Sequence, residues 1–239
     1  MDFLAEVAAW FTDPASWSGR DAIPARVGEH LALSGVSLLA GLAIALPLGL
    51  FIGHTRRWAG AVVAIANVGR AVPSVGILGL ALPLTLQLGW GIGVPPTLLA
   101  LTVLAIPPIV LNAYVGIRDV EPDLVEAARG MGMRESQVLR RVELPIALPV
   151  ILAGVRTASI QVIATATLGA ILSTGGLGRY IVDGFARQDY PRMFGGALLV
   201  MTLALTSEVL FALAQRSAVS PGLRGASARL PETGAGLAQ

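Results

Sequence analysis

Forty-seven consecutive residues between Arg70 and Arg118 carry no formal charge. A second uncharged stretch of 26 residues lies between Glu29 and Arg56. A helix that crosses the hydrocarbon core of a bilayer needs about 20 predominantly apolar residues. The chain is 54% hydrophobic and 13% charged, with a mean hydropathy of +0.73, so it has too few polar groups to cover a water-soluble globule. We predict an all-α, polytopic integral membrane protein.

About five core transmembrane helices are predicted from the alternation of apolar and polar stretches. They lie at about residues 31–53, 58–83, 96–116, 145–172 and 194–214. The second span is expected to be interrupted at Val72-Pro73, because the residue before a proline is pushed out of the helical conformation. The third is expected to break in its middle at Pro107-Pro108, where two successive backbone donors are missing.

The chain divides into three parts by composition. Residues 1–28 form an extracytoplasmic or interfacial segment, whose apolar residues recur at a spacing that suits either a short interfacial helix or disorder. Residues 29–215 form the transmembrane domain, which contains a long polar loop at 117–144 and a shorter charged loop that ends near residue 192. Residues 216–239 lack periodicity and are predicted to be a disordered cytoplasmic tail.

The arginines predict the orientation, because basic residues near the ends of spans are retained in the cytoplasm. Five spans place ten arginines on one side: Arg56, Arg57, Arg118, Arg129, Arg134, Arg140, Arg141, Arg216, Arg224 and Arg229. The opposite side receives an acidic amino-terminal segment and an uncharged connection at 84–95. We therefore predict an outer amino terminus and a cytoplasmic carboxyl terminus.

Missing residue types exclude several chemistries. All 17 basic residues are arginine, so no lysine is present to complete a phosphate-binding loop or to form a Schiff base. There is no cysteine for a disulfide, thiolate or metal site. His30 and His54 lie at opposite ends of one predicted span and cannot share a metal ion. We expect no catalytic residue, no metal and no nucleic acid partner.

The polar loop carries the most specific pattern in the chain. Pro122 suits the first turn of a short helix, Gly130 and Gly132 are expected to end it, and residues 135–142 are expected to form a second short helix at right angles before Pro145 begins the next span. Glu126-Ala127-Ala128, Gly132 and Leu144-Pro145, in this spacing, resemble the EAA signature of the membrane subunits of ATP-binding-cassette (ABC) importers. The resemblance implies the MetI-like permease fold and a prokaryotic plasma membrane location.

Other segments resemble the permeases that import glycine betaine, carnitine, choline and related osmoprotectants. They are Val72-Pro73-Ser74, Asn112-Ala113-Tyr114, Gly130-Met131-Gly132, Val142-Glu143-Leu144-Pro145, residues 153–158, Ala166-Thr167-Leu168 and residues 175–178. The resemblance covers about residues 30–215. Which of betaine, choline, carnitine or proline is carried stays open, because discrimination in such importers rests largely with a separate binding protein.

The resemblance also implies residue roles and partners. The residues expected to couple to an ATPase are Glu126, Ala127, Ala128, Gly130, Gly132, Leu144 and Pro145. The implied partners are ABC ATPase subunits, which hold ATP and Mg²⁺, a second permease copy or paralogue, and an extracytoplasmic solute-binding protein. No cofactor is expected on this chain. Three glycines, Gly175, Gly176 and Gly178, are expected to form a tight turn at the outer gate.

Polar residues within the predicted spans are the remaining candidates. Arg156 and Glu208 could sit at similar depth, and because an unpaired charge in the bilayer is costly, we hypothesise an ion pair between them that is either structural or part of translocation. Five others could face the central pathway or hydrogen-bond between helices: Asn67, Arg70, Gln87, Asn112 and Gln161.

Two other classes of function are compatible with a polytopic membrane protein. An ion-coupled secondary transporter tends to carry inverted internal repeats and acids near the bilayer midplane. This chain shows no repeat, and Glu208 is the only acid within a predicted span. A membrane-embedded enzyme is disfavoured by the absence of Cys and Lys and by the separation of the two histidines.

Overall fold

The protein is described by a computed structural model that covers residues 3–218. Within this part of the chain every regular element is helical. Four helical stretches are long and apolar enough to cross a membrane: Ile23–Thr55, Val94–Arg118, Glu135–Leu172 and Tyr190–Ser217. A bent pair of shorter helices supplies a fifth crossing if it is counted as one span. The predicted all-α architecture with about five spans is confirmed.

Ten α-helices follow one another within residues 3–218. The first five are α1 (Phe3–Thr12), α2 (Ile23–Thr55), α3 (Ala59–Ala71), α4 (Ser74–Gln87) and α5 (Val94–Arg118). The others are α6 (Pro122–Gly130), α7 (Glu135–Val138), α8 (Leu144–Ala166), α9 (Gly178–Arg187) and α10 (Tyr190–Ala218). Shorter 3₁₀ turns lie at Pro14–Trp17 and Thr167–Leu172, and a π-helical turn lies at Leu139–Glu143.

The centre of the bundle is formed by α2, α5 and α8, which pack at unusually short distances. A Cβ atom added at Gly49 of α2 would lie 2.5 Å from the Cβ of Ala113 and 2.8 Å from the carbonyl oxygen of Val110 on α5. One added at Gly154 of α8 would lie 2.5 Å from the Cβ of Asn112. Small residues at such contacts let helix backbones approach closely, which is how helices associate where lipid tails remove the hydrophobic driving force.

Helix α5 contradicts the expected break at Pro107-Pro108, because it is continuous through both prolines. Both are buried, and α5 packs against α2 on one side and α8 on the other. Irregular or unpaired backbone at membrane depth is tolerated where protein surrounds it. The packing of two neighbouring helices therefore holds α5 in one piece.

The interruption predicted at Val72-Pro73 is confirmed. Helix α3 ends at Ala71, α4 begins at Ser74, and their axes differ by 98°. Val72 is extended, with φ −72° and ψ 127°, as expected for a residue that precedes proline. Of the thirteen residues of α3 only Ala66 is buried, so this pair is less enclosed than the central helices.

The prediction of a second short helix at 135–142 is wrong in one respect, because this segment is continuous with α8. Helix α7 passes through the π turn directly into α8, and the backbone N–H of Leu144 donates to the carbonyl of Leu139. Pro145 has no N–H and its ring would crowd the carbonyl four residues earlier in an α-helix. The wider π turn accommodates this proline without a break.

The ends of the spans also differ from the prediction. Helix α2 begins at Ile23, with Pro24 in its first turn, well before residue 31. The charged loop before residue 192 contains α9, which packs against α10. Helix α10 continues to Ala218, and the rest of the predicted tail lies outside the described residues.

The amino-terminal segment contains a short helix, which is one of the two predicted alternatives, the other being disorder. Helix α1 packs against α10, with the ring of Phe3 5.4 Å from that of Phe194. Trp10 lies 5.2 Å from the ring of Tyr180 on α9. These edge-to-face contacts attach α1 to the carboxyl-terminal helices.

Candidate functional site: the loop between α5 and α8

Helix α6 is the predicted short helix of the polar loop, and its two ends match the expected signals. Pro122 occupies its first turn, where a missing backbone donor has no cost. Gly132, with φ +82°, lies just beyond the last turn, and its N–H donates to the carbonyl of Arg129. A Cβ at Gly132 would meet nothing within 4 Å, so glycine is required there for its backbone conformation and not for space.

The EAA segment has an inner and an outer face. Ala128 is 2% exposed, and α6 as a whole packs against α7 and the π turn. Glu126 and Ala127 are exposed. Leu124 is 46% exposed and Met131 73% exposed. The helix therefore has one buried small residue and presents apolar side chains and the carboxylates of Asp123 and Glu126 outward.

Leu144 and Pro145, the other predicted coupling residues, lie in the first turn of α8 and not on the surface of α6. Leu144 is half-buried and packs against the cluster that contains Ala113, Ile117 and Ala147. Pro145 is exposed. Leu144 therefore anchors the loop to the membrane helices.

A polar network ties α6 to the neighbouring helices. The guanidinium of Arg129, near the end of α6, donates to both carboxylate oxygens of Glu135 at 2.9 Å each. This hydrogen bond is the largest cause of the raised pKa of Arg129, which stays charged. Glu135 in turn lies 3.2 Å from Nε2 of His54 in the last turn of α2, whose Nδ1 lies 2.6 Å from Glu143.

The sequence does not predict this network, because His54, Glu135 and Glu143 are separated along the chain and none of them stands in a recognisable ligand or ion-pair spacing. The signal that was available is the pattern of acids at the start of α7 and within Val142-Glu143-Leu144-Pro145. The direction of Glu143 depends on the π turn, which no spacing rule in the sequence indicates.

The intramembrane candidates occupy different environments. Arg156 Nη2 lies 3.2 Å from Glu208 Oε1, so the hypothesised ion pair is present between α8 and α10. Asn112 donates its amide to the carbonyl of Pro108 within its own helix, at the contact with Gly154. Gln161 is half-buried.

The remaining candidates lie on the bent pair α3–α4. Asn67 and Arg70 of α3 are exposed, as is Gln87 at the end of α4. The chain itself therefore encloses none of these three side chains.

The three glycines of the expected outer turn have separate roles. Gly176 has φ +87°, and its N–H donates to a carboxylate oxygen of Glu29 at 2.7 Å. A Cβ at Gly178 would lie 2.3 Å from the carbonyl oxygen of Thr167. Gly176 thus makes the turn, whereas Gly178 allows α9 to approach the 3₁₀ turn that follows α8.

Comparison with known proteins decides what kind of chain this is. The family described as "Binding-protein-dependent transport system inner membrane component" matches residues 45–224. The chain belongs to this family. It is therefore a multi-pass inner membrane component of a transport system, in a family of permease subunits that are not themselves catalytic, and the predicted resemblance is confirmed.

The sequence is also similar to individual permeases of this family. It is 36% identical to the glycine betaine/carnitine/choline transport system permease protein OpuCB of Bacillus subtilis over 84% of this chain and 90% of that protein. It is 36% identical to the choline permease OpuBB of the same organism over 82% and 88%. It is 35% identical to the osmoprotectant import permease OsmW of Salmonella typhimurium over 82% and 91%.

Solved structures support the same fold. The permease superposes on a chain of the inward-facing MetNI methionine ABC transporter, native crystal form, with a TM-score of 0.76 at 26% identity, covering 87% of this chain and all of that one. A second crystal form gives a TM-score of 0.72 at 27% identity, covering 81% and 94%. The predicted MetI-like permease fold is thereby confirmed.

Proposed function

We propose that this permease forms the translocation pathway of an ATP-driven importer for osmoprotectants such as glycine betaine, choline, carnitine or proline. The substrate class is supported by the relatives: one is described as a glycine betaine/carnitine/choline permease, one as a choline permease and one as an osmoprotectant import permease. Separate ATPase subunits supply ATP hydrolysis and hold ATP and Mg²⁺. This chain binds no cofactor of its own.

The observation that carries this proposal is the two-faced helix α6. An apolar, solvent-exposed surface made by Leu124, Ala127 and Met131 on an otherwise polar loop is suited to the cleft of another protein. The same helix is fixed to α7 through Arg129. Movement of a docked ATPase is thus passed to the membrane helices, and its closure opens the pathway outward.

A second permease copy or paralogue completes the pathway. Arg70 lies 11 residues into α3, about 17 Å from its start at 1.5 Å per residue, and within residues 3–218 it makes no hydrogen bond or ion pair. Ionisable residues at such depth normally face a bundle interior or a water-filled cavity. We therefore place Arg70 and Asn67, which is three residues away, toward the pathway between the two permeases.

The outer end of the bundle meets the solute-binding protein. On that side Gly175 and Gly176 lie in the connection between α8 and α9, and Gly178 begins α9. In this proposal the amino terminus is extracytoplasmic and the carboxyl terminus cytoplasmic, so α6 faces the ATPase compartment.

The coupling role is tested by reversing one exposed charge. In the complex of this permease with its ATPase and binding protein in proteoliposomes, Glu126→Arg is expected to lower solute uptake per ATP hydrolysed by about tenfold, within the usual range of coupling between sites. Radiolabelled choline and glycine betaine uptake and phosphate release are measured together. Glu6→Arg, a reversal on exposed α1, serves as the control and should leave the ratio unchanged.

Two results would contradict the proposal. Normal uptake per ATP in Glu126→Arg would remove the coupling role of α6. Uptake driven by an ion gradient in vesicles without nucleotide would instead favour a secondary transporter.

The orientation is tested directly because the chain contains no cysteine. Met131→Cys on the loop and Trp90→Cys between α4 and α5 each introduce a single exposed thiol. A membrane-impermeant maleimide applied to intact cells should label position 90 and leave position 131 unlabelled until the membrane is opened. The reverse pattern would place α6 outside and contradict ATPase docking.

A further inference from the structure

A four-residue polar cluster lies where α2 ends beside the start of α7 and α8. It consists of Arg129, Glu135, His54 and Glu143, which we name the loop clamp. His54 Nδ1 lies 2.6 Å from Glu143 Oε2, and His54 Nε2 lies 3.2 Å from Glu135 Oε2. Glu135 is also held by the two hydrogen bonds from Arg129. One imidazole ring therefore stands between two carboxylates, one of which belongs to the element that holds α6.

The loop clamp has two buried members toward the bundle and two exposed members toward the surface. The side chain of Glu143 is 6% exposed and that of His54 is 13% exposed, whereas that of Glu135 is 59% exposed. The Arg129 side chain is 46% exposed. Exposed ion pairs contribute little to stability, whereas a buried charge that loses its partner is strongly destabilising. The inner contact thus serves the fold, and the outer contacts fix geometry at little energetic gain.

The connectivity of the chain explains why such a link matters. Helix α6 is joined through the backbone to α5 on one side and to α7 and α8 on the other. Helix α2 is distant in sequence. At this end it packs on α5 at Gly53, and it reaches Glu135 and Glu143 through the side chain of His54. Besides His54, Arg56 at the end of α2 donates to the backbone carbonyl of Arg118 at 3.2 Å.

We infer that His54 is a positioning residue for coupling: through Glu135 it fixes α2 to the base of α6, so that movement of the docked helix reaches α2 together with α5 and α8. This inference rests on the proposed coupling of α6 to an ATPase. It adds α2 to the helices that the loop drives, through a contact that neither the EAA motif nor the family comparison assigns.

Two substitutions at one position separate the inner from the outer contact. The amide nitrogen of Asn takes approximately the place of Nδ1, and that of Gln approximately the place of Nε2. His54→Asn therefore keeps a donor for Glu143 and loses the contact with Glu135, whereas His54→Gln does the opposite. Glu135→Gln removes the charge at the exposed end of the clamp, where the fold is least affected.

The complex with its ATPase and binding protein is reconstituted, and choline or glycine betaine uptake and ATP hydrolysis are measured in the same vesicles. We expect His54→Asn and Glu135→Gln to lower uptake per ATP by about fivefold, the lower end of typical coupling between sites. His54→Gln, which loses the inner contact, should yield less folded complex, but the uptake per ATP of the folded complex should stay within about twofold of wild type. Asp183→Asn, which removes an ion pair with Arg179 at the opposite end of the bundle, is the matched control and should not change the ratio.

The outcomes are distinguishable from those that test the function itself. Uptake per ATP close to wild type in both His54→Asn and Glu135→Gln would overturn the role of His54 while leaving the coupling of α6 intact. Equal impairment of His54→Asn and His54→Gln would also overturn it, because it would reduce the residue to general support of the fold. Absence of ATP-dependent uptake in the wild type would overturn the proposed function and this inference together.

Discussion

Helix α8 is held by two interfaces of opposite character. Toward α5 and α2 the contacts are made by small residues, such as Gly154, whose missing Cβ lets the backbone of α5 approach. Toward α10 they are made by polar side chains. Three pairs lie along one face of α8: Pro149 O with Gln215 at 2.9 Å, Arg156 with Glu208 at 3.2 Å, and Ser159 with Ser207 at 2.8 Å.

The two neighbours of α8 also differ in burial: α5 is more buried than α10. In an apolar 18-residue stretch of α5, 50% of the residues are buried, whereas in the corresponding stretch of α10 only 6% of the residues are buried. Close packing of small residues fixes the distance between helices over a continuous surface, since every added atom would clash. Directed polar contacts hold α10 to α8 at a few points. Some apolar residues of α10, such as Val200, pack with Ile23 and Tyr180, whereas others, such as Leu205 and Leu210, stay exposed. Helices α2, α5 and α8 are therefore joined by close contacts, whereas α10 is attached to α8 at separate points.

The largest effect is expected from a single methyl group in the small-residue interface. In Gly49→Ala the new Cβ meets a backbone carbonyl that cannot move aside, so we expect a loss of stability of about 3 kcal/mol, at the upper end for overpacked cores. Thermal unfolding of the purified permease in detergent measures it. Gly35→Ala on the same helix, where a Cβ meets nothing within 4 Å, is the matched control. Equal stability of the two variants would contradict the close packing of α2 against α5.

The sequence predicts the features of the fold that depend on local chemistry, and it does not predict those that depend on tertiary packing. Long uncharged stretches and Val72-Pro73 predicted the spans and the break, because they depend on local chemistry. The continuity of α5 through Pro107-Pro108 was not predictable, since it depends on the helices that surround it. Arg156 and Glu208 stood out because a charge within an apolar run is rare, whereas serine and glutamine give no such signal.

The polar loop between α5 and α8 shows the same limit of prediction from sequence. Helix α6 was predicted correctly from Pro122 and Gly132, because capping is a local property. The loop clamp was missed, because His54 and Glu143 are 89 positions apart and meet only through the π turn. Where a site is built by tertiary contacts between unremarkable residue types, the sequence alone provides too little information to assemble it.

A second effect, somewhat smaller, is expected from the ion pair between α8 and α10. Glu208→Leu leaves Arg156 without its partner, and an unpaired arginine at the helix centre costs about 2.5 kcal/mol on insertion scales. The amount of folded permease in membranes should fall accordingly, and the swap Arg156→Glu with Glu208→Arg should restore it. Failure of the swap to restore folding lost in both single variants would contradict a structural pair.

A double variant can decide whether the pair of Arg156 and Glu208 has a structural role or a role in translocation. Replacing both residues by leucine removes both charges, and such replacements of buried pairs are often neutral or stabilising. If the pair is structural, this double variant should fold and transport normally. Normal folding with loss of uptake would instead assign the charges to the pathway.

The smallest effect is expected from the hydroxyl pair of Ser159 and Ser207. Hydrogen bonds between membrane helices are worth about 0.6 kcal/mol on average, because the separated helices find other partners. A double-mutant cycle with Ser159→Ala and Ser207→Ala, followed by thermal unfolding, should give a coupling energy near that value. Thr206→Val is the control, since the Thr206 hydroxyl donates to the carbonyl of Thr202 within α10 and links no second helix. A coupling energy as large as that of the ion pair would mean that α10 is held evenly along its length, and the separate attachment argued above would then fail.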